Sequence, residues 1–393
     1  MRGWRLGLEF SDKIKKIIRN MAFPSGAITL SAICDAYGVP RNMGALRGKS
    51  IFNADGTSTT VPATGAFSMN SFRGKYSVAQ ALTWTASTNN PFSGNFGIGY
   101  GIAWNGAYWI AVGNRSDSVE CIAKSTTGLS WTTSTNNPFS GGTSTGIAWN
   151  STGNYWIAVG TNSDNTVCIA KSTDGVAWTT STNNPFSPGY ANGIAWNGAY
   201  WIAVGSGISG TVSVTQSTDG VNWTNPVNLF SGFDNYASGI AWNGTYWVAV
   251  GYGGTFCIAK STDGITWEKS TSTPFTVGYA IAWNSRDSYW IAGGNSSNIA
   301  KSTDGITWTN LTNNPFTTVY GIAWNGTYWV AVGRNAPSNS TVSIAESKDG
   351  ISWTNSTNNP FATIAGQGIA WNGTYWVAVG RSSSSTVCIA KSN

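Results

Sequence analysis

The stretch Gly101–Gly113, GIAWNGAYWIAVG, decides the fold. It returns unchanged from Gly193, and as GIAWNGTYWVAVG from Gly239, Gly321 and Gly368. Looser copies run through Trp149 and Trp283. The run GIAW, the pair Asn105-Gly106 and the run AYWIAVG read as two antiparallel strands. Asn-Gly suits a two-residue type I′ turn, which needs two positive φ angles. In the second strand Tyr108, Ile110 and Val112 fall on one face, Trp109 and Ala111 on the other. Both faces are apolar, so such a sheet must be covered on both sides.

Beyond this hairpin, VECIAKS reads as a third strand and LSWTT as a fourth. The linker STNNPF follows, where Pro138 stops pairing and Phe139 is expected between units. The Trp of IAW recurs at 104, 149, 196, 242, 283, 324 and 371, at spacings of 41 to 47 residues. Four short strands at that period predict propeller blades. An open solenoid is the rival architecture and would need polar caps. The chain ends at VCIAKSN, after a third strand, whereas ALTWTASTNNPF (81–92) is a fourth strand and linker lacking the first three. Only a ring lets these fragments complete each other, with Trp84 in the closing strand. The expectation is an all-β protein: a closed seven-bladed β-propeller of four-stranded blades over 81–393. A small irregular module, 1–80, with a short helix near 30–37, precedes it.

Composition agrees with a folded β-rich body: 10% charged residues, 22 Trp and 48 Gly in 393 residues. The net charge of +6 is uneven. Residues 1–75 hold 11 Lys/Arg against 4 Asp/Glu, and the remainder 11 against 12. A basic nucleic-acid surface on the repeats is therefore not expected. No apolar run is long enough to span a bilayer, and no signal-peptide pattern is seen. Cys121, Cys168, Cys257 and Cys388 share one repeat position that Ser213, Asn298 and Ser343 fill elsewhere. They read as free thiols at a site needing a small side chain.

STDGVAW (172–178), STDGVNW (217–223), STDGITW (261–267 and 302–308) and SKDGISW (347–353) resemble the Asp-box of BNR-type propellers. The resemblance implies a turn between third and fourth strands, with Asp174, Asp219, Asp263, Asp304 and Asp349 as structural residues. A short carboxylate there accepts backbone N–H groups while Gly takes an unusual backbone conformation. The first repeat, STTGLSW, has Thr127 in place of Asp. Sialidases, sorting receptors and assembly factors all share that fold, so the resemblance implies architecture only.

The chain has no histidine. That excludes Ser-His-Asp and Cys-His chemistry and His-ligated metal sites within it. No phosphate-cradling motif appears, and neither cofactor nor metal is expected. A sialidase-like glycoside hydrolase is the enzymatic alternative. Arg115, Arg334 and Arg381, from the first, sixth and seventh repeats, are its only support, and Glu120, Glu268 and Glu346 sit in no recognisable motif. The expectation is a protein without catalytic residues.

The segments that vary among repeats connect strands two and three: NRSDSV, TNSDNT, SGISGT, YGGT, NSS, RNAPSNS and RSSSS. Recognition usually resides in such loops. Tyr100, Tyr190, Tyr236, Tyr279 and Tyr320 precede the first strands and should lie near the same face. With Arg115, Asp117, Asp164, Arg334 and Arg381 they form the candidate ligand-binding face, suited to a glycan because rings cover pyranoses and polar groups take hydroxyls. Sequons at Asn243, Asn325 and Asn372 fall in the hairpin turns and follow from turn chemistry.

Residues 1–80 differ in kind. SDKIKKIIRNM (11–21) places Ile14, Ile17, Ile18 and Met21 on one helical face. Residues 1–20 are either an amphipathic helix or sequence upstream of a start at Met21. FPSGAITLSAICDAYGVP, NMGALRGKSIF and AFSMNSFRGK resemble a module found near the ends of phage tail and large-virus structural proteins. The matching positions are Ile28–Ser31, Ala45–Lys49 and Ser68–Lys75. The resemblance implies attachment to other virion proteins through residues 21–80. The composite expectation is a virion-associated, particle-surface protein whose propeller binds a host glycan or receptor. A purely structural propeller that docks virion proteins is the rival.

Overall fold

The computed structural model describes residues 50–52, 58–60 and 82–393, except 93–96, 116–120, 208–211, 231–234, 297–298, 312–313, 336–341, 362–363 and 383–386. The chain divides into two units, 1–81 and 82–393. In the first, Ser50–Phe52 pairs antiparallel with Ser58–Thr60. The amphipathic helix anticipated within residues 1–20 and the short helix near 30–37 lie outside the described residues.

Residues 82–393 form seven four-stranded antiparallel sheets, the blades of a β-propeller. In blade 1 the strands are Ile98–Trp104, Trp109–Asn114, Ile122–Ser125 and Thr132–Thr133, paired in that order. Blades 2 to 6 repeat the pattern. Blade 7 takes Ala365–Trp371, Trp376–Arg381 and Ile389–Ser392 from the C-terminus and Trp84–Ala86 from the start of the unit. Trp84 lies opposite Ser392, and Ala86 opposite Ala390.

Each second strand is buried on both faces, as an apolar run must be inside a stack of sheets. Trp109 and its six repeats, Trp156, Trp201, Trp247, Trp290, Trp329 and Trp376, are fully buried. Each such ring removes roughly 150–250 Å² from water, about 4–6 kcal/mol of transfer free energy as an upper estimate. The core clusters bridge adjacent blades: Phe139 packs with Ile110 and Val112 of blade 1 and Trp156 and Ile147 of blade 2. The same type of cluster joins blade 7 to blade 1, with Val377, Val379 and Cys388 against Ile102 and Trp109.

The hairpin between first and second strands is not the two-residue type I′ turn that Asn-Gly suggests. Trp104 pairs with Trp109, so Asn105 to Tyr108 form a four-residue loop. The Asn105 side chain accepts from the N–H groups of Ala107 (2.9 Å) and Tyr108 (2.8 Å), and only Gly106 needs positive φ (+99°). A side-chain acceptor replaces one strained backbone position. Asn243, Asn325 and Asn372 use their side-chain oxygens in the same way.

Candidate functional site: the loop-side mouth of the channel

Antiparallel pairing sorts the connections to two ends of every blade. The first-to-second hairpins and the third-to-fourth turns lie at one, the turn end. The second-to-third loops, the linkers and the starts of the first strands lie at the other, the loop end. Contacts between linkers and loops show the second grouping: Asn184 Nδ2 donates to Thr166 O (2.8 Å), and Ser163 N to Ser140 O (3.2 Å).

At the turn end the aspartates are structural. Asp174 Oδ1 accepts from Val176 N (2.8 Å), Ala177 N (2.9 Å) and Ser172 Oγ (3.0 Å), while Gly175 takes φ +75°. Asp219, Asp263, Asp304 and Asp349 repeat this. The N–H groups of Ile265 and Thr266 hold the Asp263 carboxyl down at about 2. At Asp304 burial pushes upward, but the N–H groups of Thr307 and Ile306 prevail and hold it at about 2. In blade 1 Thr127 Oγ1 does the same work at longer range, accepting from Leu129 N (3.2 Å) and Ser130 N (3.3 Å). Carboxylates bound to their own turns, one in each of blades 2 to 6, do not converge on one substrate.

Arg286 also belongs to the turn end, in the first hairpin of blade 5, where it pairs with Asp287 (2.8 Å). The four described cysteines are buried free thiols. Burial pushes the Cys257 thiol up to about 11 and raises those of Cys168 and Cys388. They sit in the packed cores between blades.

The loop end carries the remaining candidates. First strands from all seven blades surround a central channel of about 210 Å³. The wall is built from Gly101, Ile102 and their repeats, with Tyr279, Tyr320 and Gln367 lining it as well. A bulge in each first strand turns one residue out of register, between Gly99 and Gly101 in blade 1. Tyr100, Tyr279 and Tyr320 occupy this bulge position. Tyr190 and Tyr236 do not: each opens its first strand, opposite Ser206 and Tyr252 respectively. The five tyrosines thus stand at two positions, four residues before the first-strand Trp (Tyr100, Tyr279, Tyr320) and six before it (Tyr190, Tyr236).

The two positions nevertheless meet. The Tyr279 and Tyr320 rings lie 5.2 Å apart, and those of Tyr236 and Tyr252 6.1 Å apart. Burial, with the neighbouring Tyr279 and Tyr190, pushes the Tyr236 phenol up to about 12, and Tyr236 hydrogen-bonds Tyr279. Tyr190 is 39% exposed. An aromatic crescent therefore crosses blades 3 to 6 along the mouth. Tyr252 belongs to it and was not anticipated; its only sequence signal is an aromatic residue directly after the Gly that ends AVG.

Arg334 and Arg381 end the second strands of blades 6 and 7, not the loops beyond them, and Arg115 directly follows that of blade 1. Arg334 is exposed and lies close enough to Tyr279 to favour its ionised form. Arg381 acts likewise on Tyr100, whose phenol burial pushes up. Asp164 is exposed in the blade 2 loop, within 3.1 Å of Ser163 Oγ. Asp117 lies outside the described residues. No group of three or more metal-ligating side chains occurs among the described residues.

No protein-family model matches the sequence. No curated protein matches it either. Among solved structures, the WD40 β-propeller domain of Doa1 is similar, at 12% identity and a TM-score of 0.57, over 79% of this chain and 97% of that one. At that identity the likeness is one of fold, and it places this chain among seven-bladed β-propellers.

Proposed function

We propose that this is a non-catalytic, virion-associated binding protein whose propeller recognises a host-surface glycan at the loop-side channel mouth. The observation that carries this reading is the crescent of Tyr190, Tyr236, Tyr252, Tyr279 and Tyr320. Half-exposed rings in mutual contact beside an opening offer stacking platforms for sugar rings, and hydroxyls at their edges offer hydrogen bonds. The resemblance of residues 21–80 to a virion attachment module supports the association with other virion proteins.

Leu82 and Asn393 both lie at the turn end of blade 7, where Asn393 N donates to Thr83 O (3.0 Å). We also read the Ser-x-Asp-Gly turns as Asp-boxes, and the pairing of Trp84–Ala86 with Ile389–Ser392 as closure of the ring.

A glycan array probed with the full chain tests the proposal. Binding to a defined set of glycans that falls at least tenfold in Tyr236→Ala and Tyr279→Ala, both folded by circular dichroism, is the expected result. Binding unaffected by either change would remove the mouth as the site.

A further inference from the structure

The tyrosines of the two blade ends live in different fields. At the turn end, Tyr246, Tyr289 and Tyr328 each lie beside a carboxylate: Asp304 for the first, Asp287 and Asp349 for the second, Glu346 for the third. At the loop end, Tyr236 and Tyr279 feel other tyrosines and Arg334, and no acid acts on them among the described residues. Five aspartates are committed to third-to-fourth turns, which by topology lie away from the mouth, and the described acid of the loop end, Asp164, stands in the blade 2 loop.

Arg334 is the exposed charged group that acts on this crescent. Its backbone is fixed by the strand: it pairs with Thr318, and its carbonyl accepts from Thr317 N (2.8 Å) and Thr317 Oγ1 (3.0 Å). Its side chain is exposed and makes no ion pair among the described residues. A guanidinium on a rigid strand end, within electrostatic reach of Tyr279, is suited to a two-oxygen anion. A neutral sugar would use the rings and leave that charge unmatched.

We infer that the mouth selects acidic saccharides, with sugar rings stacked on Tyr236 and Tyr279 and a carboxylate or sulfate of the ligand paired with Arg334. This inference rests on the glycan-binding reading above and adds the ligand's charge class. Arg334 acts as a specificity residue and the tyrosines supply affinity common to acidic and neutral sugars.

The test uses the full chain and matched oligosaccharide pairs: uronic and sialylated glycans with their methyl esters, and sulfated glycans with their desulfated forms. Titration calorimetry at low salt should give each bound acidic member roughly ten- to a hundredfold tighter than its neutral partner, the range for one charge-assisted contact. Carboxylated and sulfated pairs, measured separately, identify which anion fits. Arg334→Gln should abolish the acidic preference, bringing the ratio of acidic to neutral affinity to about one. Tyr279→Ala should weaken both members alike. If acidic and neutral members bind equally to the unmodified chain, the charge inference is overturned and glycan binding stands. If none of the pairs binds, both fall.

Discussion

The indole Nε1 of Trp109 donates to the hydroxyl of Tyr375, 3.3 Å away and 266 residues apart in sequence. The same bond recurs at every step of the propeller: Trp156 to Tyr108, Trp201 to Tyr155, Trp247 to Tyr200, Trp290 to Tyr246, Trp329 to Tyr289 and Trp376 to Tyr328, at 2.9–3.1 Å. The Tyr hydroxyl can pass the bond on. Tyr289 donates to Asp349 O (2.9 Å) and Tyr375 to Thr127 O (3.0 Å), in each case the turn of the next blade. Tyr289→Phe would leave a fully buried indole N–H without its acceptor. It should cost roughly 1–3 kcal/mol in urea denaturation. A cost near zero would mean that the bond is incidental.

The Gly that closes each AVG run faces the carbonyl of its partner strand. A Cβ at Gly205 would fall on Tyr190 O, whereas one at Gly198, in the hairpin loop, meets nothing within 4 Å. Gly205→Ala should therefore fail to fold or lose more than about 3 kcal/mol. Gly198→Ala should lose only the backbone cost of its +100° φ, roughly 1–3 kcal/mol. Thermal melts of the two variants side by side give the comparison, and equal losses would contradict it.

Thr127 is the weak member of the turn series, its hydroxyl accepting at 3.2–3.3 Å where Asp174 accepts at 2.8–2.9 Å. An ionised acceptor makes the stronger bond. Thr127→Asp should stabilise the chain by roughly 0.5–1 kcal/mol at neutral pH, lost again below pH 4, as followed by denaturant midpoints. Destabilisation at neutral pH would show that the blade 1 turn differs from the others.

Glu346 marks the seam between blades 6 and 7. In other blades the third-strand residue here is a donor: Lys124 gives its Nζ proton to Asp174 O (2.7 Å), and Lys171 to Asp219 O (2.7 Å). Blade 7 has no third-to-fourth turn, and what faces blade 6 is the N–H of Leu82. An acceptor replaces the donor, and Leu82 N donates to Glu346 Oε1 at 2.6 Å. Burial pushes this carboxyl up to about 7 from an ordinary 4.5, against the opposing effects of the Leu82 N–H and Lys348. A folded-state value above the unfolded one means stability present below pH 4.5 and lost as pH rises through 7. The span is at most roughly 3 kcal/mol. Glu346→Gln should flatten stability between pH 4.5 and 7, and an unchanged slope would assign it elsewhere. The turn aspartates act oppositely: their lowered values give stability that is lost as pH falls from about 4 towards 2.

Blade count, strand order and turn residues were legible because they are local and repeated, the Trp of IAW seven times and the Ser-x-Asp-Gly turn five. The Trp period and the Ser-x-Asp-Gly phrases state them directly. What the repeat spacing hid was register. The bulge before Gly101 takes Tyr100 out of the ladder while Tyr190 and Tyr236, two residues earlier in their repeats, stay paired, and the Asn105 side chain converts a two-residue turn into a four-residue loop. Contacts between blades were equally silent. Asn136 of one linker brackets Trp178 of the next blade, accepting from its N–H (2.8 Å) and donating to its carbonyl (2.6 Å). Asn358 treats Trp84 identically, at 2.7 Å for both bonds. Nothing in the linker STNNPF distinguishes that role from an ordinary polar turn until the neighbouring blade is in place.

The mouth exists only if the two ends of the unit share one blade, and a paired cysteine substitution probes this most directly. Thr85 and Lys391 are opposite one another in the antiparallel pair, a separation that suits a disulfide. Thr85→Cys/Lys391→Cys, oxidised in dilute solution, should give a monomer cross-linked within the chain, identified by peptide mapping. Cross-links found only between chains, or none, would contradict the ring.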